Sequence, residues 1–145
     1  YAIRSIIMKP FFQICIKVIF IDNNNQTLIL RRSGYDGWEV NCWEFPGGRM
    51  TYGETIEEAL RREILEETQL RMQDKFEYEL LFADTKIVNE YIRNIYLFFM
   101  VRTDYFTPQL SFEHTEYKWI PVKKHILDYI SFSDEQVEMI NRRVL

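Results

Sequence analysis

The chain has only two cysteines. Cys15 and Cys42 stand apart, with neither metal-ligand nor redox spacing. That excludes a thiolate metal cluster or a CxxC redox centre. It leaves two buried free thiols in a reducing cytoplasm, with a disulfide between them as the open alternative. There is no run of basic residues, so no groove for polymeric nucleic acid is expected. No apolar run reaches the roughly 18–20 residues of a membrane span, and the N-terminus lacks the pattern of a signal peptide. The expectation is a cytoplasmic protein that does not enter a membrane. Internal repeats, low-complexity segments and linkers are missing as well. This points to one domain over residues 1–145, with Tyr1 to Ile7 as an extension ahead of a natural start at Met8.

What is present is ordinary in bulk and uneven in placement. Of the 145 residues, 47% are hydrophobic and 28% charged, the proportions of a globular protein with a real core. Aromatic residues make up 16%, which suits sheet packing first and base stacking second. The formal net charge is −4. Segment 54–67 holds six Glu and two Arg and carries that whole excess, leaving the rest of the chain neutral on balance. Such a patch alone repels phosphate, so a phosphate ester binding there needs metal ions between it and the carboxylates.

The acid lies within Trp43 to Leu70, WEFPGGRMTYGETIEEALRREILEETQL. A short apolar strand enters at Trp43-Glu44-Phe45, and Pro46-Gly47-Gly48 is expected to break regular structure. Thr55 precedes an uninterrupted run of helix formers, with Glu58 three residues on in capping-box position. At about 100° per residue from Ile56, the residues Ala59, Ile56, Leu60 and Ile64 form one apolar face. Glu63 and Glu67 point into that arc, and Glu66 sits at its edge. Glu57 and Glu58 fall on the wet side, spaced to pair with Arg61 and Arg62. Three like charges beside a core cost several kcal/mol unless a cation compensates them, and oxygen ligands suit a divalent one. The bland alternative is a helix tilted enough to keep all three wet.

Gly48, Glu54, Arg62-Glu63-Ile64, Glu66-Glu67 and Gln69-Leu70 carry a resemblance by their spacing. The stretch resembles the Nudix box of the Nudix (MutT-like) hydrolases, and the preceding Trp43 to Gly48 is typical of that family. Gln69 stands where the family has Gly, just after the helix, in a place that favours a left-handed residue. The resemblance implies the Nudix fold, an α/β/α sandwich with a mixed β-sheet between the box helix and a C-terminal helix. It implies hydrolysis of a pyrophosphate bond in a nucleoside diphosphate derivative, most readily a nucleoside triphosphate or related nucleotide. By matching position, Glu63, Glu66, Glu67 and the Gly47 carbonyl hold Mg²⁺ or Mn²⁺. One of these Glu, or Glu113, takes a proton from water, and Arg62 steadies a neighbouring carboxylate. Glu54 supports the loop. Arg32 aligns with an arginine near the substrate phosphates, a solvent-facing strand end being the other reading. Glu113-His114-Thr115-Glu116-Tyr117-Lys118-Trp119 resembles a family segment whose acid completes the metal site, with Glu113 the first candidate and Glu116 the second. His114 reads equally as a loop hydrogen-bonding residue and as a catalytic base. A non-catalytic, nucleotide-binding regulatory domain is the alternative function. Association as a monomer or homodimer stays open.

Outside the box the pattern alternates strands and turns. Phe11 to Ile21 reads as a strand buried on both faces, with Lys17 its only charge. Thr27 to Arg32 reads as its hairpin partner across the turn at Asp22 to Gln26. The loop from Ser33 to Asn41 carries Trp38, which can stack on a base or simply pack. Phe76–Val88 and Tyr91–Arg102 read as a hairpin turning at Asn89-Glu90, with Ile95 to Val101 central and buried. Val122 to Ile130 suggests a short helix. Ser133, with Gln136, caps a last helix whose Val137, Ile140 and Val144 pack on the sheet.

Overall fold

The computed structural model describes residues 9–144, leaving aside the side chains of residues 124 and 125. The expected start at Met8 and the extension before it lie outside the described residues. Among the described residues, seven strands and two α-helices follow one another, in the expected order but for β4: β1 (Phe11–Ile21), β2 (Gln26–Arg32), β3 (Trp43–Glu44), β4 (Gly47–Arg49), α1 (Ile56–Thr68), β5 (Tyr78–Ile87), β6 (Ile92–Arg102), β7 (His114–Pro121) and α2 (Asp134–Val144). A 3-10 turn at Lys124–Asp128 stands where the short helix was expected.

The strands divide between two sheets. One is four-stranded, in the order β4-β1-β6-β5, and the other three-stranded, β3-β2-β7. β1 runs parallel to β6 and antiparallel to β4. The turn after β1 closes as expected: the Asp22 carboxylate accepts from the amides of Asn24 at 2.9 Å and Gln26 at 2.8 Å. β2 nevertheless leaves β1 and pairs with β3 and β7, so the two are not hairpin partners. Both edges of β1 are already taken by β4 and β6. The β5–β6 hairpin forms in the expected place, with the Asn89 side chain accepting from the amides of Tyr91 and Ile92.

β1 also shows why a helix lies on each side. Its residues alternate across the sheet. Ile16, Val18 and Phe20 pack with Ala59, Leu60 and Ile64 of α1. Ile19 and Ile21 pack with Val137 and Ile140 of α2 and with Ile126 of the 3-10 turn. The first residues of β1 are open: Phe12 is 63% exposed. Burial on both faces holds only for the second half of the strand. Ser133 caps α2 as expected, its Oγ accepting from the Gln136 amide at 3.2 Å while the Gln136 side chain accepts from the Ser133 amide at 3.0 Å.

Candidate active site

α1 delivers its carboxylates by the geometry read from its sequence. Thr55 Oγ1 accepts from the Glu58 amide at 3.1 Å and Glu58 Oε2 accepts from the Thr55 amide at 3.0 Å, closing the capping box. Glu58 is used there, and Glu57 pairs with Arg61 at 3.7 Å. Arg62 turns instead to the site. It binds Glu54 through Nε and, at 3.0 Å, through Nη2; it meets Glu63 at 2.8 Å, Glu66 at 3.3 Å and the Arg49 carbonyl at 3.0 Å. Bonds from Arg62 and from the Thr51 amide hold Glu54 down at about 2. The helix ends at Gln69 in the left-handed conformation, φ 62° and ψ 13°.

Glu63 and Glu67 are buried, 7% and 4% exposed, whereas the Glu66 side chain is 58% exposed. The expected break at Pro46-Gly47-Gly48 is instead strand β4, which pairs with β1 and brings its backbone against these acids. Glu67 Oε2 accepts from the Gly47 amide at 2.8 Å. A Cβ on Gly47, at φ +144°, would stand 2.0 Å from the Ile16 carbonyl oxygen; one on Gly48 would stand 2.7 Å from Glu63 Oε1. Only glycine lets the strand approach both β1 and the carboxylates this closely. Burial pushes the Glu63 carboxyl up, the Arg62 guanidinium offsetting part of it. Burial pushes Glu67 well above the usual range, against the pull of Lys17 and the Gly47 amide, with Glu44 and Glu63 adding repulsion.

A second group lies on the strands. Glu44 bonds Lys17 Nζ at 3.1 Å through Oε2, and through Oε1 meets His114 Nε2 at 2.8 Å and Arg32 Nη1 at 3.3 Å. Burial would raise its carboxyl, but Lys17, His114 and Arg32 outweigh that and hold it down at about 2. Arg32 is not a solvent-facing strand end. Its side chain is 13% exposed and also holds Asp36 at 2.9 Å and the Trp38 carbonyl at 3.0 Å. Trp38 is half-buried beneath the Lys86 ammonium, 5.3 Å from its ring centre. Cys15 is buried, as expected, but Cys42 is exposed, and both are free thiols. Cys42 sits at the end of the loop that leads into the short strand β3.

The two groups share one cavity of about 950 Å³, lined by Lys17, Arg32, Trp38, Glu44, Gly47, Gly48, Glu54, Arg62, Glu63, Glu66, Glu67 and Glu113 among others. The residues named from the sequence as site candidates are therefore at its wall, except His114, which is buried against Glu44, and Glu116, which pairs with Arg31 at 3.3 Å. Glu67, Glu113 and His114 each place a donor atom within 4.8 Å of the others. The residues fit a divalent cation. The donors are mostly carboxylate oxygens, two of them buried in excess of their cations, and His114 Nδ1 is buried without a hydrogen-bond partner. Sequence reasoning missed the junction of Lys17, Glu44 and His114. The available signal was Lys17 itself, a lone charge in the middle of an apolar strand.

The family model for the NUDIX domain matches residues 12–140. The chain belongs to this family, whose MutT-like hydrolases it resembles in both sequence and fold. It is 31% identical over 139 residues to the 8-oxo-dGTP diphosphatase of Haemophilus influenzae, covering 92% of each chain. To the 8-oxo-dGTP diphosphatase of Escherichia coli it is 39% identical over 69 residues, 44% of this chain and 54% of that one. The match to an RNA pyrophosphohydrolase of Acinetobacter baylyi is 42% over 53 residues, covering 29% of that protein. Among solved structures, the MutT protein of Methanosarcina mazei has the same fold, with a TM-score of 0.74 at 24% identity over 92% of this chain and 93% of that one.

Proposed function

We propose that the chain is a Mg²⁺- or Mn²⁺-dependent pyrophosphohydrolase acting on a nucleoside triphosphate or a related nucleotide. The observation that carries this is the pair of buried carboxylates, Glu63 and Glu67, against the glycine strand of an open cavity. Two buried acids with raised proton affinity are poorly compensated by the protein alone, and a divalent ion compensates them. The names of the relatives, 8-oxo-dGTP diphosphatase and RNA pyrophosphohydrolase, support a triphosphate-bearing substrate.

In this reading Glu63, Glu66, Glu67 and the Gly47 carbonyl hold the metal. Bound there, it supplies neutralisation of phosphate oxygens, alignment for in-line attack and a more acidic water. Arg62 fixes Glu63 and Glu66 relative to one another and ties both to Glu54. Glu113 takes the proton from the attacking water. Among the described residues, the hydrogen bond to its carboxylate comes from the Tyr35 hydroxyl, at 3.4 Å, which leaves its other oxygen for that role. Arg32, at the cavity wall, offers positive charge to the phosphates, and Trp38 offers an aromatic ring to the base. The free thiols at Cys15 and Cys42 suit the cytoplasmic location proposed with this activity.

The test is product release across canonical and oxidised nucleoside triphosphates, dinucleoside polyphosphates, ADP-ribose and nucleotide sugars, with Mg²⁺, with Mn²⁺ and with chelator. Turnover of a triphosphate class that chelator abolishes is expected. Binding of nucleotide without product in every metal condition would replace the enzyme with a nucleotide-sensing domain.

A further inference from the structure

A charged side chain in the middle of a central strand needs a reason to be there. Lys17 lies on β1 between β4 and β6, in register with Gly47 on one side and Phe98 on the other. Its neighbours along that face of β1, Cys15 and Ile19, are buried and apolar. The Lys17 side chain is 12% exposed and reaches the wall of the catalytic cavity. Its ammonium donates to Glu44 Oε2 at 3.1 Å and to the Phe45 carbonyl at 3.3 Å. Directly across the strand pair, the Gly47 amide holds Glu67. The other oxygen of Glu44 is already occupied by Arg32 and His114.

We infer that Lys17 is a built-in cation of this site: it neutralises Glu44 beside Glu67 and so weakens the hold of the metal-binding carboxylates on a divalent ion. The inference rests on the metal-dependent reading above and adds to it how the protein limits metal loading. The charges on the wall sort in this way. Arg62 serves Glu54, Glu63 and Glu66 on the outer side. On the inner side Lys17 meets Glu44, across the strand pair from the Gly47 amide that holds Glu67, and Arg32 reaches Glu44 from β2. A divalent ion approaching Glu67 therefore meets a fixed positive charge lining the same cavity. Without that charge, the same carboxylates attract the ion more strongly. For one charge against a doubly charged ion several ångströms away in a partly wet cavity, the change is at least roughly fivefold in affinity.

The experiment is a titration of the whole protein with Mn²⁺, without substrate, followed by calorimetry and by the paramagnetic signal of free Mn²⁺. Lys17→Met removes the charge and keeps the bulk; Lys17→Arg keeps the charge. Glu44→Gln removes the partner, and the double variant K17M/E44Q removes both, leaving no orphaned ion in the wall. The expected order is K17M binding at no more than one fifth of the free Mn²⁺ that the wild type needs, or taking up an additional ion. K17R and the double variant should stay near the wild type, and E44Q should bind more weakly. If K17M does not fold, judged by its thermal transition, the comparison of the double variant with E44Q carries the same sign: the double variant must bind more tightly. Equal or weaker binding in K17M, or in the double variant relative to E44Q, overturns the inference while leaving the hydrolase reading in place. Absence of Mn²⁺ binding by the wild type would overturn both.

Discussion

Replacing Gln69 by glycine should make the protein more stable, and the size of the gain follows from one dihedral angle. Gln69 closes α1 at φ 62° with its backbone amide donating to the Leu65 carbonyl at 2.9 Å. A residue with a Cβ pays roughly 1–2 kcal/mol to stand in this left-handed region. Glycine stands there freely but brings more freedom to the unfolded chain, which returns roughly 0.5–1 kcal/mol. The Gln69 side chain is exposed and makes no hydrogen bond among the described residues, so nothing else is lost. The net gain is about 0.5–1 kcal/mol, or about 2–4 °C in melting midpoint for a chain of this size. The assay is thermal unfolding of Gln69→Gly, →Asn and →Ala, metal-free and with Mg²⁺. Glycine should melt highest, asparagine next because it tolerates this conformation, and alanine level with the parent. Nucleotide turnover should not change, since Gln69 is outside the cavity lining. A glycine variant that melts at or below the parent, or an asparagine variant below alanine, would refute the reasoning.

Three other outcomes follow from the same geometry. Glu67→Gln should lower turnover at least about 100-fold and, without metal, raise the melting midpoint, because it removes a buried charge whose carboxyl is pushed up by burial; a lower metal-free midpoint would contradict this. Glu44 is depressed from 4.5 to about 2, so its stabilisation is complete above the unfolded value near 4.5 and fades as pH falls toward 2, a span worth about 3 kcal/mol. Denaturant midpoints of Glu44→Gln should accordingly be lower than the parent's at neutral pH and converge with it at the acid end; parallel curves would count against the assignment. Gly47→Ala places a Cβ 2.0 Å from the Ile16 carbonyl and should cost at least about 3 kcal/mol, read as a collapse of soluble yield or midpoint. A variant that melts within a degree or two of the parent would show that β4 does not press on β1 as described.

The helix and its carboxylates were legible in the sequence because the rules that place them are local. Thr55 and Glu58 are three residues apart, and the burial of Glu63 and Glu67 with the exposure of Glu66 follows from 100° steps around one axis. The left-handed exit at Gln69 followed from its place after the last turn. The α/β order followed from alternating apolar periods, and the β5–β6 hairpin from its short polar turn.

Strand partnership was another matter. A strand shows which residues share a face, and its sequence does not carry the identity of its neighbour. For this reason β2 looked like the partner of β1, although the tertiary structure gave both edges of β1 to β4 and β6. The glycines at Gly47 and Gly48 looked like a break, although they form a strand that only glycine lets come close enough. Lys17, Glu44 and His114 come from β1, β3 and β7, and Glu113 immediately precedes β7. No local pattern links positions so far apart along the chain. The sequence alone set which acids one helix presents together. The sheet register decided which cation, which arginine and which histidine those acids meet, because hydrogen bonding between strands remote in sequence brings the groups within a few ångströms.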